Sequence, residues 1–271
     1  MITTGVDIGS LASKAVVLDT GTMTVIGSAV IPSGPRPAAT AERVLRLALS
    51  DADADADTVA ATVATGYGRE SLPFADATVT EITCAARGAH LIDGATRTVV
   101  DIGGQDSKAI RVDERGFPLD FALNDRCAAG TGRFLEVMAG ALETDVTDLE
   151  RLALEAEAPA AITRTCTVFA ESEIIGLLAD GALPSAVAAG LCRAVALRTA
   201  ALVRQIGVRP PVMLVGGVGM NRAIASELER AVDSPLITPE QPQLVVATGA
   251  AVVAADRISE RSDRGSVREG S

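Results

Sequence analysis

Two short peptides in this sequence carry the same acidic and basic residues at the same spacing. The peptide Asp7–Asp19 aligns without a gap on Asp101–Asp113, and the first Asp, the Ile, the Gly, the Ser, the Lys, the Ala and the closing Asp are identical. Each copy begins after apolar residues, turns at a glycine and continues as an alternating apolar run. This pattern predicts a β-hairpin with a glycine-rich turn.

A carboxylate at a strand end beside such a turn suits phosphate and metal chemistry. Backbone N–H groups can approach an anion closely at the turn, and the aspartate can hold a cation through water. Two hairpins of this kind in one chain predict two similar lobes that close on one nucleotide.

A third glycine site follows the apolar run Val212–Val215. The segment Gly216–Asn221 predicts a glycine turn and the start of a helix, and such a turn lets a flat base or a ribose lie against bare backbone. One glycine site of this kind is only a weak indication of nucleotide binding. The indication is much stronger when the site follows the two hairpins in the same chain. Ordinary hairpin turns are the structural alternative.

Two of the four cysteines stand where a helix is about to begin. Cys127 precedes a predicted helix at 131–142, and Cys166 precedes one at 169–180. A thiolate there is stabilised by the helix dipole and by free N–H groups, as a metal ligand or a redox centre requires. Two thiolates cannot complete a tetrathiolate cluster, but a two-fold dimer would donate four. Two buried core cysteines and a zinc site are the alternatives.

The other reactive side chains are predicted to be structural. Cys84 and Cys192 lie on the apolar faces of predicted helices, which favours core packing. His90, the only histidine, has no Ser or Cys partner in a recognisable arrangement and is predicted at a helix end.

The elements that must position these residues follow from the apolar periodicity, which predicts an α/β fold with two similar lobes of mixed sheet flanked by helices. The first lobe, 1–95, is predicted to contain strands at 2–8, 13–19, 24–31 and 58–64 and helices at 39–49 and 80–92. The second lobe, 96–256, is predicted to contain strands at 97–102, 107–113, 117–123 and 212–215 and helices at 131–142, 146–156, 169–180, 185–206, 220–231 and 247–257. The charged segment 257–271 is predicted to be disordered.

The composition is that of a globular protein with an aliphatic core. Of 271 residues, 48% are hydrophobic and 2% aromatic, so the core must be built from Ala, Val, Leu and Ile. No apolar run reaches the roughly 18 residues of a membrane span, and the N-terminus has no basic region before its first strand. These features predict a soluble cytoplasmic protein without a membrane partner. The net charge of −11 argues against nucleic acid as a partner, because no basic patch could neutralise phosphates.

Taken in order, the two hairpins and Gly216–Asn221 resemble phosphate loop one, phosphate loop two and the adenosine loop of the actin, sugar-kinase and heat-shock-chaperone ATPase superfamily. Four strings are similar to those of the activators of 2-hydroxyacyl-CoA dehydratases, a family that includes the ATP-hydrolysing subunits of benzoyl-CoA reductase. They are ATGYGR (64–69), DIGGQDSK (101–108), CAAGTGRFLEVMA (127–139) and TCTVFAESEI (165–174). The resemblance covers nearly the whole chain and implies an actin-like, ribonuclease H-like duplication with a nucleotide cleft between the lobes.

The resemblance also implies a set of site residues. Cys127 and Cys166 would hold one 4Fe-4S cluster that bridges a homodimer. Asp7 and Asp101 would hold Mg2+ through water, and Gln105 would orient the attacking water. Contacts with ATP or ADP would carry over to Ser10, Ala12, Ser13, Lys14, Gln105, Gly130, Thr131, Gly132, Gly216, Gly217 and Gln243, with Lys14 on phosphate. The chain departs from the family pattern close to Gln243, at Val246, where the family usually has Gly.

The implied function is that of an ATP-dependent one-electron donor. Reduced ferredoxin or flavodoxin would load the cluster, and ATP hydrolysis would drive one low-potential electron onto a CoA-thioester enzyme, either a 2-hydroxyacyl-CoA dehydratase or an aromatic acyl-CoA reductase. A small-molecule (sugar) kinase of the same superfamily, with unmetallated cysteines and Asp101 or Asp106 as base, is the alternative. A nucleotide-switched binding module without catalysis is a third hypothesis.

Overall fold

The chain divides into two compact units in the computed structural model, which describes residues 1–124, 127–163 and 166–269, the last nine of these as backbone only. The first unit comprises Met1–Ala95, Asp113–Pro118 and the chain from Leu244 onward. The second comprises Thr96–Val112 and Leu119–Gln243.

Each unit is built on one five-stranded sheet with helices packed against it. The elements of the first unit, numbered in chain order, are β1 (Ile2–Ile8), β2 (Ala12–Asp19), β3 (Thr24–Pro32), α1 (Pro37–Asp51), β4 (Val59–Thr65), β5 (Ala77–Thr78) and α2 (Glu81–Ile92). Those of the second are β6 (Thr98–Ile102), β7 (Ser107–Val112), β8 (Pro118–Asn124), α3 (Gly132–Ala141), α4 (Leu149–Leu154), α5 (Thr167–Ala179), α6 (Pro184–Ile206), β9 (Val212–Val215), α7 (Arg222–Val232) and β10 (Leu236–Ile237). The last helix, α8 (Val245–Glu269), follows in the C-terminal segment.

The two sheets have the same strand order. The first runs β5-β4-β1-β2-β3 and the second β10-β9-β6-β7-β8. In both, the central strand pairs antiparallel with its hairpin partner and parallel with the strand on its other side. The predicted pair of mixed sheets flanked by helices is therefore confirmed, and the repeated peptides are the two central hairpins.

Both faces of the first sheet are covered, which explains why β2 is nearly continuous in apolar residues. Ala15 and Val17 pack in a cluster with residues of α1, whereas Val16 and Leu18 pack in a second cluster with Ala247 and other residues of α8. Successive side chains of a strand point to opposite faces, so a strand buried on both sides loses its polar alternation.

The C-terminal helix packs in the first unit, although its position in the sequence predicts a place in the second lobe. Small residues allow this packing: a Cβ placed on Gly249 would collide with the backbone carbonyl of Cys84 in α2. The contact joins residues that are far apart in sequence, and sequence order gives no sign of it. The helix also continues through 257–269, where the sequence predicts disorder, and no proline interrupts it there.

One helix in the described part of the chain, α6, is long and apolar enough by length and composition to cross a membrane. Its buried residues, among them Leu191, Val195 and Val203, belong to the main apolar cluster of the second unit. This burial is typical of the core helix of a globular unit.

Candidate functional site

The first candidate site is the end of the β1–β2 hairpin. Asp7 and Lys14 are cross-strand partners, and Lys14 Nζ donates to Asp7 Oδ2 at 3.0 Å. Asp7 is only 3% exposed, and its second oxygen, Oδ1, is buried without a hydrogen-bond partner among the described residues. A buried carboxylate oxygen without a partner is costly, so this atom is a natural acceptor for a metal-bound water.

A glycine on the neighbouring strand makes room for Asp7. Gly66 follows β4 with a φ of +90°, and a Cβ at that position would lie 2.5 Å from Asp7 Oδ1 and 2.6 Å from the carbonyl oxygen of Ile8. Only a glycine fits both this backbone conformation and this spacing. Gly66 is a site residue that sequence reasoning missed. The signal was available, because this glycine directly follows a buried strand within the string ATGYGR.

The end of the β6–β7 hairpin repeats this frame with one added carboxylate. Asp101 is 4% exposed and lies across from Lys108. Lys108 Nζ is 3.5 Å from Asp101 Oδ2 and donates to Asp106 Oδ1 at 2.8 Å. Gly216 follows β9 with a φ of +87°, and a Cβ there would lie 2.5 Å from Asp101 Oδ1. The glycine predicted to contact adenosine therefore also backs the aspartate, as Gly66 does for Asp7.

The segment Gly130–Gly132 is hydrogen-bonded to the β6–β7 turn. The N–H groups of Gly132 and Arg133 donate to the carbonyl oxygens of Gly103 and Gly104 at 2.9 and 2.8 Å. Ser107 Oγ donates to the carbonyl oxygen of Gly130 at 3.2 Å. The first turn of α3 is thus attached to the second hairpin, and two of its N–H groups are not available to an anion or to a thiolate.

The remaining residues predicted to contact nucleotide differ in exposure. Ser10, Ala12 and Gln243 are half-buried, and Gln105 and Gly217 are exposed at their turns. The carbonyl oxygen of Pro242, beside Gln243, accepts from Gly216 N at 3.0 Å, which brings these two segments together.

Two of the predicted contacts are buried and already have protein partners. Ser13 Oγ is 2.8 Å from Ser33 Oγ, and Thr131 Oγ1 donates to the carbonyl oxygen of Ala128 at 2.5 Å. Both side chains are fully buried. The hydroxyls of Ser13 and Thr131 therefore support the backbone of their loops.

The four cysteines separate into a buried pair and an accessible pair. Cys84 and Cys192 are buried, and burial raises the pKa of each thiol to about 12, so both remain protonated and pack as apolar groups. This confirms their predicted core role, and His90 lies in the last turn of α2 as predicted.

The accessible pair lies in the second unit. Cys127 is half-buried, and its carbonyl oxygen accepts from Asn124 Nδ2 at 3.0 Å at the end of β8. Cys166 is exposed and is the N-cap residue of α5, and its own side chain makes no cap hydrogen bond to the first N–H groups. In residues 1–124, 127–163 and 166–269, no group of three or more His, Cys, Asp or Glu side chains could hold a metal ion. The described residues of a single chain therefore supply no complete ligand set.

Comparison with known proteins shows the family to which the chain is similar. The model of the BadF/BadG/BcrA/BcrD ATPase family matches residues 4–254. The 2-hydroxyisocaproyl-CoA dehydratase activator of Clostridioides difficile is 42% identical over 260 residues, which cover 96% of this chain and 97% of the relative. The solved structure of the activator of the 2-hydroxyisocaproyl-CoA dehydratase from Clostridium difficile with bound ADPNP has a TM-score of 0.92 and 41% identity, covering 97% of this chain and 98% of that one.

A more distant solved structure supports the fold class. A ROK family glucokinase from Streptomyces griseus, in complex with glucose and AMPPNP, has a TM-score of 0.59 at 14% identity, covering 94% of this chain and 100% of that one. At this identity the likeness shows the fold alone. The predicted kinship with sugar kinases in fold, and the predicted resemblance to dehydratase activators, are both confirmed.

Proposed function

The chain belongs to the BadF/BadG/BcrA/BcrD ATPase family, and from that premise we propose that it is an ATP-dependent activator of a 2-hydroxyacyl-CoA dehydratase. Two copies of the chain share one 4Fe-4S cluster, and ATP hydrolysis drives one low-potential electron from this homodimer to the dehydratase. The 42% identical relative named a dehydratase activator favours a dehydratase over an aromatic acyl-CoA reductase as acceptor.

The observation that carries the proposal is the accessibility of Cys127 and Cys166 in the second unit. Cys166 is exposed and Cys127 is half-buried against the apolar cluster of the second unit, whereas the other two thiols are buried and protonated. Cys166 is the N-cap residue of α5, and a helix N-terminus stabilises a thiolate. A tetrathiolate cluster requires four cysteines, so two accessible cysteines per chain fit a cluster shared by a homodimer. When bound, the cluster supplies the one-electron chemistry, and reduced ferredoxin or flavodoxin is the proposed donor.

Nucleotide and magnesium fit the hairpin ends. Each hairpin provides a nearly buried carboxylate, and hard cations prefer oxygen ligands. Oδ1 of Asp7, which has no partner among the described residues, favours a water-mediated metal contact there. When bound, Mg2+ offsets the charge of the phosphates. Lys14 binds phosphate, and Gln105, exposed at its turn, orients the attacking water. That one nucleotide is held by both lobes stays a prediction.

Backbone hydrogen bonds within the second unit support a coupling between nucleotide and cysteines. The turn that carries Gln105 accepts two hydrogen bonds from the first turn of α3, and Cys127 lies a few residues before that helix. A change in the turn on ATP hydrolysis would be passed to the start of α3 through these backbone hydrogen bonds. This connection favours gating by ATP over independent nucleotide and cluster sites.

A direct test is dehydration of a 2-hydroxyacyl-CoA by a purified dehydratase under anaerobic conditions. We expect dehydration to require the wild-type chain, ATP, Mg2+ and a reductant together. Cys166→Ala should bind ADP normally, because the nucleotide loops are intact, yet should support no dehydration. Cys192→Ala, which removes a buried thiol of the same unit, is the matched control and should retain activation. Dehydration that proceeds without ATP, or with Cys166→Ala at the wild-type rate, would refute the proposal.

The kinase alternative has less support. One of its two candidate bases, Asp106, is bonded to Lys108 at 2.8 Å, and the glucokinase likeness shows the fold alone. Sugar-dependent ADP release by a colourless monomer would favour the kinase, whereas a brown dimer favours the activator.

A further inference from the structure

The second unit contains a cavity of about 310 Å³ between the end of β8 and the helix α6. Leu123 of β8 and Leu202 of α6 contribute apolar surface to its lining. Arg198, Thr199 and Gln205, all on α6, contribute polar groups. Among the described residues, no Asp or Glu lines the cavity. Its volume is at the lower end of the range for small-molecule sites, and its lining favours a small ligand with negative charge.

Arg198 supplies the positive charge of this cavity. It is half-buried and forms no ion pair or hydrogen bond with the described residues. Its stem lies against bare backbone, because a Cβ on Gly130 would be only 2.9 Å from Arg198 Cδ, and Gly130 has a φ of +86° that suits glycine. An arginine is always charged, and a charge partly removed from water is costly without an anionic partner. The guanidinium can therefore bind an anion in the cavity.

Thr199 supplies a buried hydroxyl group. Thr199 is 2% exposed, and its Oγ1 has no hydrogen-bond partner among the described residues. A threonine in a helix commonly donates to the carbonyl one turn earlier, as Thr248 Oγ1 does to the carbonyl oxygen of Leu244 at 3.0 Å. A buried hydroxyl without a partner is destabilising. A ligand in the cavity that Thr199 lines would offset this loss with a hydrogen bond.

The apolar part of the lining favours a carboxylate over a phosphate. Besides the two leucines, it includes Ala129 and Ala201, and such surface suits a hydrocarbon chain better than further charged oxygens. One guanidinium matches one carboxylate group, which it can bind through two parallel hydrogen bonds. Inorganic phosphate carries more charge and offers no apolar surface to these walls.

We propose that this cavity binds a small organic monocarboxylate with a short apolar chain. The carboxylate pairs with Arg198 and accepts a hydrogen bond from Thr199 Oγ1, and the chain lies against the apolar walls. The site lies wholly within the second unit and goes beyond the proposed function, on which it does not depend. It is distinct from a nucleotide site, because Gly130 contributes to it the backbone against which Arg198 lies.

The experiment is calorimetric titration of the intact, anaerobically purified protein with sodium valerate, its neutral analogue valeramide and inorganic phosphate, with and without ADP. Valerate should bind saturably in the millimolar range, and valeramide at least tenfold more weakly, because it lacks the charge that pairs with arginine. Neither phosphate nor ADP should displace valerate. No saturable binding of valerate, equal binding of valeramide, binding of phosphate in place of valerate, or displacement of valerate by ADP would each overturn the proposal.

Variants locate the binding in the cavity. Arg198→Gln should lower the affinity for valerate at least tenfold, and Arg198→Lys less, because it keeps the charge but loses the fork of donors. Thr199→Val should lower the affinity about threefold without lowering resistance to denaturant, since the hydroxyl that it removes has no partner among the described residues. The matched control is Arg193→Gln on the exposed side of the same helix, which should leave valerate binding unchanged. Wild-type affinity in Arg198→Gln would overturn the proposal.

Discussion

The β1–β2 and β6–β7 hairpin ends place an aspartate, a lysine and a glycine of positive φ in the same register, yet they surround these residues differently. In the first, the lysine lies 3.0 Å from the strand-end aspartate, whose second oxygen is buried without a partner among the described residues. In the second, a further aspartate shares the lysine, and the first turn of α3 is hydrogen-bonded to the turn. The two hairpin ends therefore share the same backbone arrangement. They differ in the number of carboxylates near the lysine and in the hydrogen bonds to a neighbouring helix.

The largest effect expected from this difference is at Asp101. We expect Asp101→Ala to lower the rate of magnesium-dependent ATP hydrolysis roughly 100-fold or more, because a metal-anchoring carboxylate is lost from the site. Asp7→Ala should lower it less, since Lys14 lies closer to Asp7 (3.0 Å) than Lys108 does to Asp101 (3.5 Å). The measurement is phosphate release at saturating ATP, with Asp120→Ala as the control for loss of an exposed carboxylate. Full turnover of Asp101→Ala would remove that residue from the site.

A smaller effect tests the shared frame through the glycines. Gly66→Ala and Gly216→Ala should each lower the free energy of unfolding by about 2–3 kcal/mol, because each combines a left-handed backbone with a Cβ against an aspartate oxygen. Gly34 also has a positive φ, but a Cβ there meets no atom within 4 Å. Alanine at this position should therefore cost only about 1 kcal/mol. Denaturant titration distinguishes Gly34 from the other two glycines, and equal losses at all three positions would argue against a shared role of Gly66 and Gly216.

The sequence predicts most of what is local in this structure. The hairpins, their strand-end aspartates and the cysteines before α3 and α5 follow from short patterns that depend on near neighbours. The two-residue strands β5 and β10 were missed, because such short strands have no periodicity.

The features that sequence reasoning missed depend on contacts between distant residues. Gly66 backs Asp7 only because β4 lies parallel to β1, and α8 joins the first unit through packing against residues near the N-terminus. The lysines of the two hairpins are identical in sequence, and only the distances show that Asp106 holds one of them. The family resemblance identifies the residues that belong to one site. The contacts that each of these residues makes are seen only in the folded structure.

The accessible and buried cysteines give the most direct test of the account, through the iron content of the anaerobically purified protein. The wild-type chain should bind about four iron atoms per dimer. Cys127→Ala or Cys166→Ala should each abolish iron binding, because losing one cysteine per chain removes two of the four ligands. Cys84→Ala and Cys192→Ala should retain the full iron content, since these thiols are buried and protonated. Four irons per monomer, or iron retained in the Cys127 or Cys166 variant, would contradict a cluster shared between two chains.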